Sequence, residues 1–216
     1  MLWFAQIETM LTAEEEERWG QFLSGFRRQE LERPMSLTRR QERLQIYALE
    51  AGLAWRVTGI PPWRQRWKRE KTGRPICLDQ SSGGYSLAHT RGAVFLGMLD
   101  QPLGVDIEPA DRAISALVIR RCYQSGEQQE IAASQAAGPR QAVRIWTRKE
   151  ANAKRDGRGL VRELLYADTA ALPLCWMEEE RDGYMMTVCT KQPVSERMET
   201  IEPREQLALL KKGIYP

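Results

Sequence analysis

LGVDIEP, residues 103–109, decides how this chain is read. Its apolar alternation ends in Asp106 and Glu108, with only Ile107 between them. Residues two apart on a strand point to the same face. Two carboxylates on one face repel each other, and the cost grows with burial. The pairing therefore calls for a cation, or for a chemistry that uses two acids.

Working upstream, AVFLGML (93–99) and YSLAHT (85–90) keep the same period of two, with turns at Arg91-Gly92 and Asp100-Gln-Pro. The three segments read as consecutive strands, and LWFAQIE near the start reads as another. Between them, Thr12-Ala-Glu-Glu forms a capping box, with Thr12 facing Glu15, and predicts a helix running to about Glu32. A second helix is expected from near Ser36 to about Trp55, because Leu44, Tyr47, Ala48 and Ala51 fall at helical spacing. Residues 58–84 are rich in Gly, Pro and Arg and read as irregular.

Downstream, 111–138 has weak helical character. Pro139 suits the first turn of a new helix, expected to pass through Trp146 and Glu150 to about Arg155, with Gly157 as its C′ residue. Strands near 174–179 and 184–190 precede a short amphipathic tail. The order predicts an α+β fold in two unequal halves.

The composition fits a soluble globular chain. Of 216 residues, 42% are hydrophobic and 28% charged, and the net charge is +3. That balance suits anionic ligands but is far from a nucleic-acid-binding signature, and the basic residues are dispersed. Cys77, Cys122, Cys175 and Cys189 form no CxxC pair and His89 is the single histidine, which argues against structural zinc. Scattered thiols suggest a reducing compartment. The N-terminus turns acidic after ten residues, unlike a signal peptide, and no apolar run approaches the ~20 residues that span a bilayer. A cytoplasmic protein is expected, with no membrane or nucleic-acid partner.

The helix from Pro139 carries IWTRKEANAK (145–154). Glu150 and Lys154 lie four apart and share a face. Alone, they read as a surface pair, and Asp106-x-Glu108 is open between a solvated strand end and a functional acid pair. Together they supply three carboxylates from two elements with a lysine one turn beyond the third. Oxygen ligands without a spare histidine favour Mg²⁺, which shares its coordination with substrate phosphates.

GVDIE (104–108), followed some forty residues later by WTRKEANAK (146–154), resembles the paired signature of the 4′-phosphopantetheinyl transferases, in the longer, surfactin-synthetase-activating layout. TGRPICLDQSSGGYSLAHT (72–90) resembles the segment that leads into the family's histidine strand, and GRGL (157–160) resembles its Gly-x-Gly-Leu. Two residues depart from the pattern: Arg74 stands where the family has Lys, and Ala88 where it has Ser before the histidine.

The resemblance implies two similar subdomains about a pseudo-twofold, 1–109 on the coenzyme A side and 110–216 carrying the catalytic helix, with the active site in the cleft between them. It implies transfer of 4′-phosphopantetheine from coenzyme A to a serine of an apo acyl or peptidyl carrier protein, with release of 3′,5′-ADP. Asp106, Glu108 and Glu150 would hold Mg²⁺, with Mn²⁺ as a substitute. Glu150 would take the serine proton, and Lys154 would contact the phosphates. Arg43, Arg74 and His89 would bind coenzyme A phosphates, while Arg27 and Arg28 read as a solvated face. Trp146 reads as packing beneath the metal site. In DRAISALVIRRCYQ (111–124), the choice lies between an ordinary amphipathic element and a carrier-docking face with Arg120 and Arg121. The chain is expected to act as a monomer. The competing readings are a Mg²⁺-dependent phosphohydrolase acting on coenzyme A-like pyrophosphates, an inactive carrier-binding subunit and, more distantly, a nucleic-acid module.

Overall fold

The computed structural model describes residues 1–7, 10–159 and 161–212. The fold is α+β, as expected, and the chain groups into two compact units. One comprises residues 1–85, 91–100 and 196–216, and the other 86–90 and 101–195. This grouping differs from a single boundary at 109. The acid strand gathers with the chain that follows it, and the C-terminal segment returns to the first unit.

In the first unit, β1 (Leu2–Gln6) pairs antiparallel with β5 (Ala93–Leu99). It also pairs in parallel with β9 (Met198–Thr200), a three-residue strand too short to be legible as a period. Thr12 forms the expected capping box with Glu15. The helix it opens does not reach Glu32, however. It splits into α1 (Ala13–Gly20) and α2 (Gly25–Leu31), because Ser24 caps a new start by accepting from the Arg27 amide. Next come α3 (Leu37–Thr58), capped by Ser36 and ended by Gly59 at φ 72°, and a short hairpin, β2 (Trp67–Arg69) with β3 (Pro75–Cys77), inside the stretch read as irregular. The core of this unit holds Trp3, Phe4, Phe95, Leu49 and Leu53.

Arg27 is not solvated. It is 4% exposed, donates to both Glu50 oxygens at 2.6 and 2.5 Å and to Glu30 at 2.5 Å, and lies over the Tyr47 ring. A buried charge persists only when paired in this way. Arg28 is exposed, as expected.

Strand β4 (Gly84–Thr90) passes from the first grouping into the second. In the second unit, β6 (Leu103–Pro109) pairs antiparallel with β8 (Tyr184–Thr190), which in turn pairs with β7 (Cys175–Arg181). Helices α4 (Ala116–Cys122) and α5 (Ser125–Ala133) replace the weakly helical stretch. The long helix α6 (Gly138–Asp156) has Pro139 in its first turn and ends at Gly157 with φ 86°. A short helix, α7 (Arg162–Leu165), follows it, and α8 (Pro203–Lys212) is the amphipathic tail.

Helix α6 packs on β6 and β8, and Gly104 sets how closely. A Cβ there would overlap the Ala151 carbonyl oxygen and the Arg155 amide nitrogen. Only a residue without a side chain lets the acid strand lie directly on the helix backbone, and this approach brings Asp106 near the last turns of α6.

Candidate active site

The site is built on β6 and α6. Asp106 is 2% exposed, in line with its position mid-strand between buried Val105 and Ile107. Glu108, near the strand end, is half-buried, as is Glu150 on α6. The Lys154 ammonium donates to Asp106 Oδ1 at 2.6 Å and lies 3.9 Å from Glu150 Oε2. Glu108 feels the charges of Asp106, Glu150 and Lys154, so the four form one electrostatic cluster.

The acids feel each other. Burial first, then the Asp106 charge, push the Glu108 carboxyl up to about 7, with Glu150 adding to the rise and Arg112 opposing it. Glu150 is raised by burial and then by Asp106, and Asp106 is raised by burial against the pull of Lys154. Asp106 Oδ2 is buried with no hydrogen-bond partner. A buried carboxylate oxygen left this way carries a desolvation cost that a cation would relieve. Among the described residues, no three His, Cys, Asp or Glu side chains close into a ready-made metal centre. The donor set nonetheless fits a hard divalent ion: oxygens only, in excess negative charge, with an orphaned buried oxygen.

A pH effect on stability follows. Folded, Glu108 keeps its proton up to about pH 7, against an ordinary value of 4.5. Between those limits the folded state binds more protons than the unfolded one, so this contribution to stability falls as the pH rises and is flat above about 7. In metal-free protein, the melting temperature of Glu108→Gln should gain on wild type across that window. A constant gap between the two would show that the carboxyl titrates normally.

The other candidates lie on other elements. His89 is exposed near the end of β4. Ala88 is buried at 3% exposure, so position 88 is an inward packing site. Ser86, which no sequence motif singles out, is buried and accepts from the Val105 amide at 3.0 Å, tying β4 to the acid strand. Arg43 lies on α3, half-buried, and Arg74 donates to the Tyr85 carbonyl at 3.0 Å, both in the first unit. Arg120 and Arg121 are exposed on α4, none of whose residues is buried, and Leu117 beside them is 46% exposed. Val118, Ile119 and Cys122 are partly covered, so the helix keeps a covered side as well as an exposed one. Leu160 of GRGL lies outside the described residues.

Trp146 is partly exposed. Its indole N–H leans toward Glu150 without reaching hydrogen-bond geometry, and its ring is covered by the Arg112 guanidinium at 5.7 Å. Arg112 belongs by sequence to the expected docking segment, yet it turns back and pairs with Glu108. The one sequence signal for this pair is the four-residue spacing from Glu108. Lys149 lies inside WTRKEANAK, where nothing local distinguishes it from a surface lysine. It is fully buried, pairs with Glu127 at 2.7 Å and donates to the Ala167 carbonyl at 2.7 Å. Glu127 also accepts from the Thr169 amide and hydroxyl. This network pins α5 and the 166–169 turn to the back of the site helix.

A model of the 4′-phosphopantetheinyl transferase superfamily matches residues 102–189, the span that holds β6, α6 and all four clustered residues. The chain is also 25% identical over 199 residues to the 4′-phosphopantetheinyl transferase Sfp of Bacillus subtilis (strain 168), covering 85% of this chain and 88% of that protein. Both matches liken the chain to the 4′-phosphopantetheinyl transferases, and the family match falls on the span that holds the clustered residues.

Proposed function

We propose that this protein transfers the 4′-phosphopantetheine group of coenzyme A to a serine of an apo carrier protein, releasing 3′,5′-ADP, with Mg²⁺ as the metal. The observation that carries the reading is the buried Asp106 with its unpartnered Oδ2, set with Glu108 and Glu150 against Lys154 inside the span that matches the family. Asp106, Glu108 and Glu150 are assigned to the metal. When bound, a divalent ion neutralises charge on the pyrophosphate.

The chain's own groups do the rest. Glu150, its carboxyl raised by burial and then by Asp106, is a stronger base than an ordinary carboxylate and suited to accept the serine hydroxyl proton. Lys154, reaching from the last turns of α6, offers its ammonium to the phosphate oxygens and stabilises the charge that moves to the leaving group. Arg43, Arg74 and His89 are assigned as further phosphate contacts. The four cysteines are free thiols, in keeping with a cytoplasmic site of action. Among the described residues, no helix is long and apolar enough to cross a membrane.

Coenzyme A consumption measured with and without apo carrier tests the reaction class. The transferase reading requires 3′,5′-ADP to appear only when carrier is present. Carrier-independent turnover would move the protein to the phosphohydrolase reading.

Helix α4 is proposed as the carrier-docking face, because its exposed Leu117 adjoins the exposed Arg120 and Arg121. Exposed charges steer association and are screened over ~8–10 Å at physiological salt. Reversing both charges, Arg120→Glu with Arg121→Glu, should raise the carrier KM several-fold at low salt and leave the coenzyme A KM unchanged. An unchanged carrier KM would place the docking face elsewhere.

A further inference from the structure

The Arg112 amide donates to the Pro109 carbonyl at 3.0 Å, and this turn after β6 carries the Arg112 side chain back onto Glu108. The guanidinium is thus held twice, by the Glu108 carboxylate and by the face of Trp146 at 5.7 Å. Lys154 does the same for Asp106 at 2.6 Å. With all three carboxylates ionised, as above the value of about 7 for Glu108, the two cations leave the cluster one negative charge, from −3 and +2.

The two partners of the Arg112–Glu108 pair differ in freedom. The Glu108 side chain is 14% exposed on a paired strand, and the Arg112 side chain is 39% exposed on a turn. When the pair opens, the arginine moves and the carboxylate stays. A divalent ion entering alone would turn the cluster net positive against two resident cations. A divalent ion arriving with a pyrophosphate restores a negative sum and gives the released guanidinium a two-oxygen acceptor that matches its fork. The Trp146 face keeps the guanidinium beside the cluster after it lets go.

We propose that Arg112 is a built-in counter-cation of Glu108 that a divalent ion must displace, so that metal and pyrophosphate bind cooperatively. The proposal rests on the metal-dependent reading above. It concerns a residue that reading does not use.

The test is Mn²⁺ binding, followed by the electron paramagnetic resonance signal of free Mn²⁺, with and without coenzyme A, on the full chain. Arg112→Gln should bind Mn²⁺ alone about fivefold more tightly than wild type, the size of a half-exposed ion pair. Coenzyme A should then raise Mn²⁺ affinity less in Arg112→Gln than in wild type. Arg112→Lys, which keeps the charge, should stay near wild type. Asp106→Asn separates the two levels of the argument. If it loses Mn²⁺ binding while Arg112→Gln binds no more tightly than wild type, the counter-cation role is overturned and the metal site stands. If Asp106→Asn binds Mn²⁺ as wild type does, the metal assignment falls, and the role of Arg112 with it.

Discussion

Asp106→Asn is expected to lower phosphopantetheinyl transfer by at least ~10³-fold while leaving the protein folded, a loss within the range of removing an essential catalytic group. The side chain is nearly isosteric, so β6 keeps its register against β8. What is lost is the charge. Lys154 keeps a neutral oxygen acceptor at position 106 in place of a charged one; it is also 31% exposed and retains Glu150 at 3.9 Å, so it is not stranded in the interior. What is gained is relief from repulsion, since the Asp106 charge is the second cause, after burial, of the rise in both Glu108 and Glu150. The melting temperature of the metal-free variant should therefore hold or rise while activity collapses. A thermal melt beside a transfer assay reads both. Wild-type turnover in the variant would remove Asp106 from the machinery.

Glu150→Gln should lower kcat by at least ~10²-fold, the scale of a lost general base. The change preserves volume and helix propensity, so α6 and its contacts with β6 and β8 should survive. Because Glu150 is also assigned to the metal, the coenzyme A KM should rise as well, an effect that saturating Mg²⁺ reduces while the loss in kcat remains. Steady-state kinetics at saturating carrier separates the two. A small, equal change in both parameters would return Glu150 to the role of a helix-surface acid.

Much of this site is legible in the amino-acid sequence. The period-two run into Asp106 and Glu108 and the helical spacing of Glu150 and Lys154 are local patterns, and each survives in β6 and α6. Spacing along a helix cannot say what lies opposite it. The contact between Lys154 and Asp106, 48 residues apart, depends on β6 packing on α6 at Gly104. The role of Arg112 is hidden for the same reason: a charge in a polar connection looks solvated until the turn that folds it back is known. Arg27 sits in a polar stretch, with no local sign that Glu50, 23 residues on, pairs with it in the interior. The break at Ser24 hides inside a stretch that could have continued as one helix, because an N-cap competes with helix propagation through a single side-chain bond. Strand β9 owes its existence to its parallel pairing with β1, a partner at the other end of the chain.

The central claim is chemical, and mass spectrometry of an intact carrier protein reads it most directly. After incubation of an apo carrier with coenzyme A, Mg²⁺ and this protein, the account predicts a carrier heavier by on the order of 340 Da, one phosphopantetheine, attached at a single serine. An unmodified carrier mass across apo acyl and peptidyl carriers, with coenzyme A cleaved in the same tubes, would contradict it.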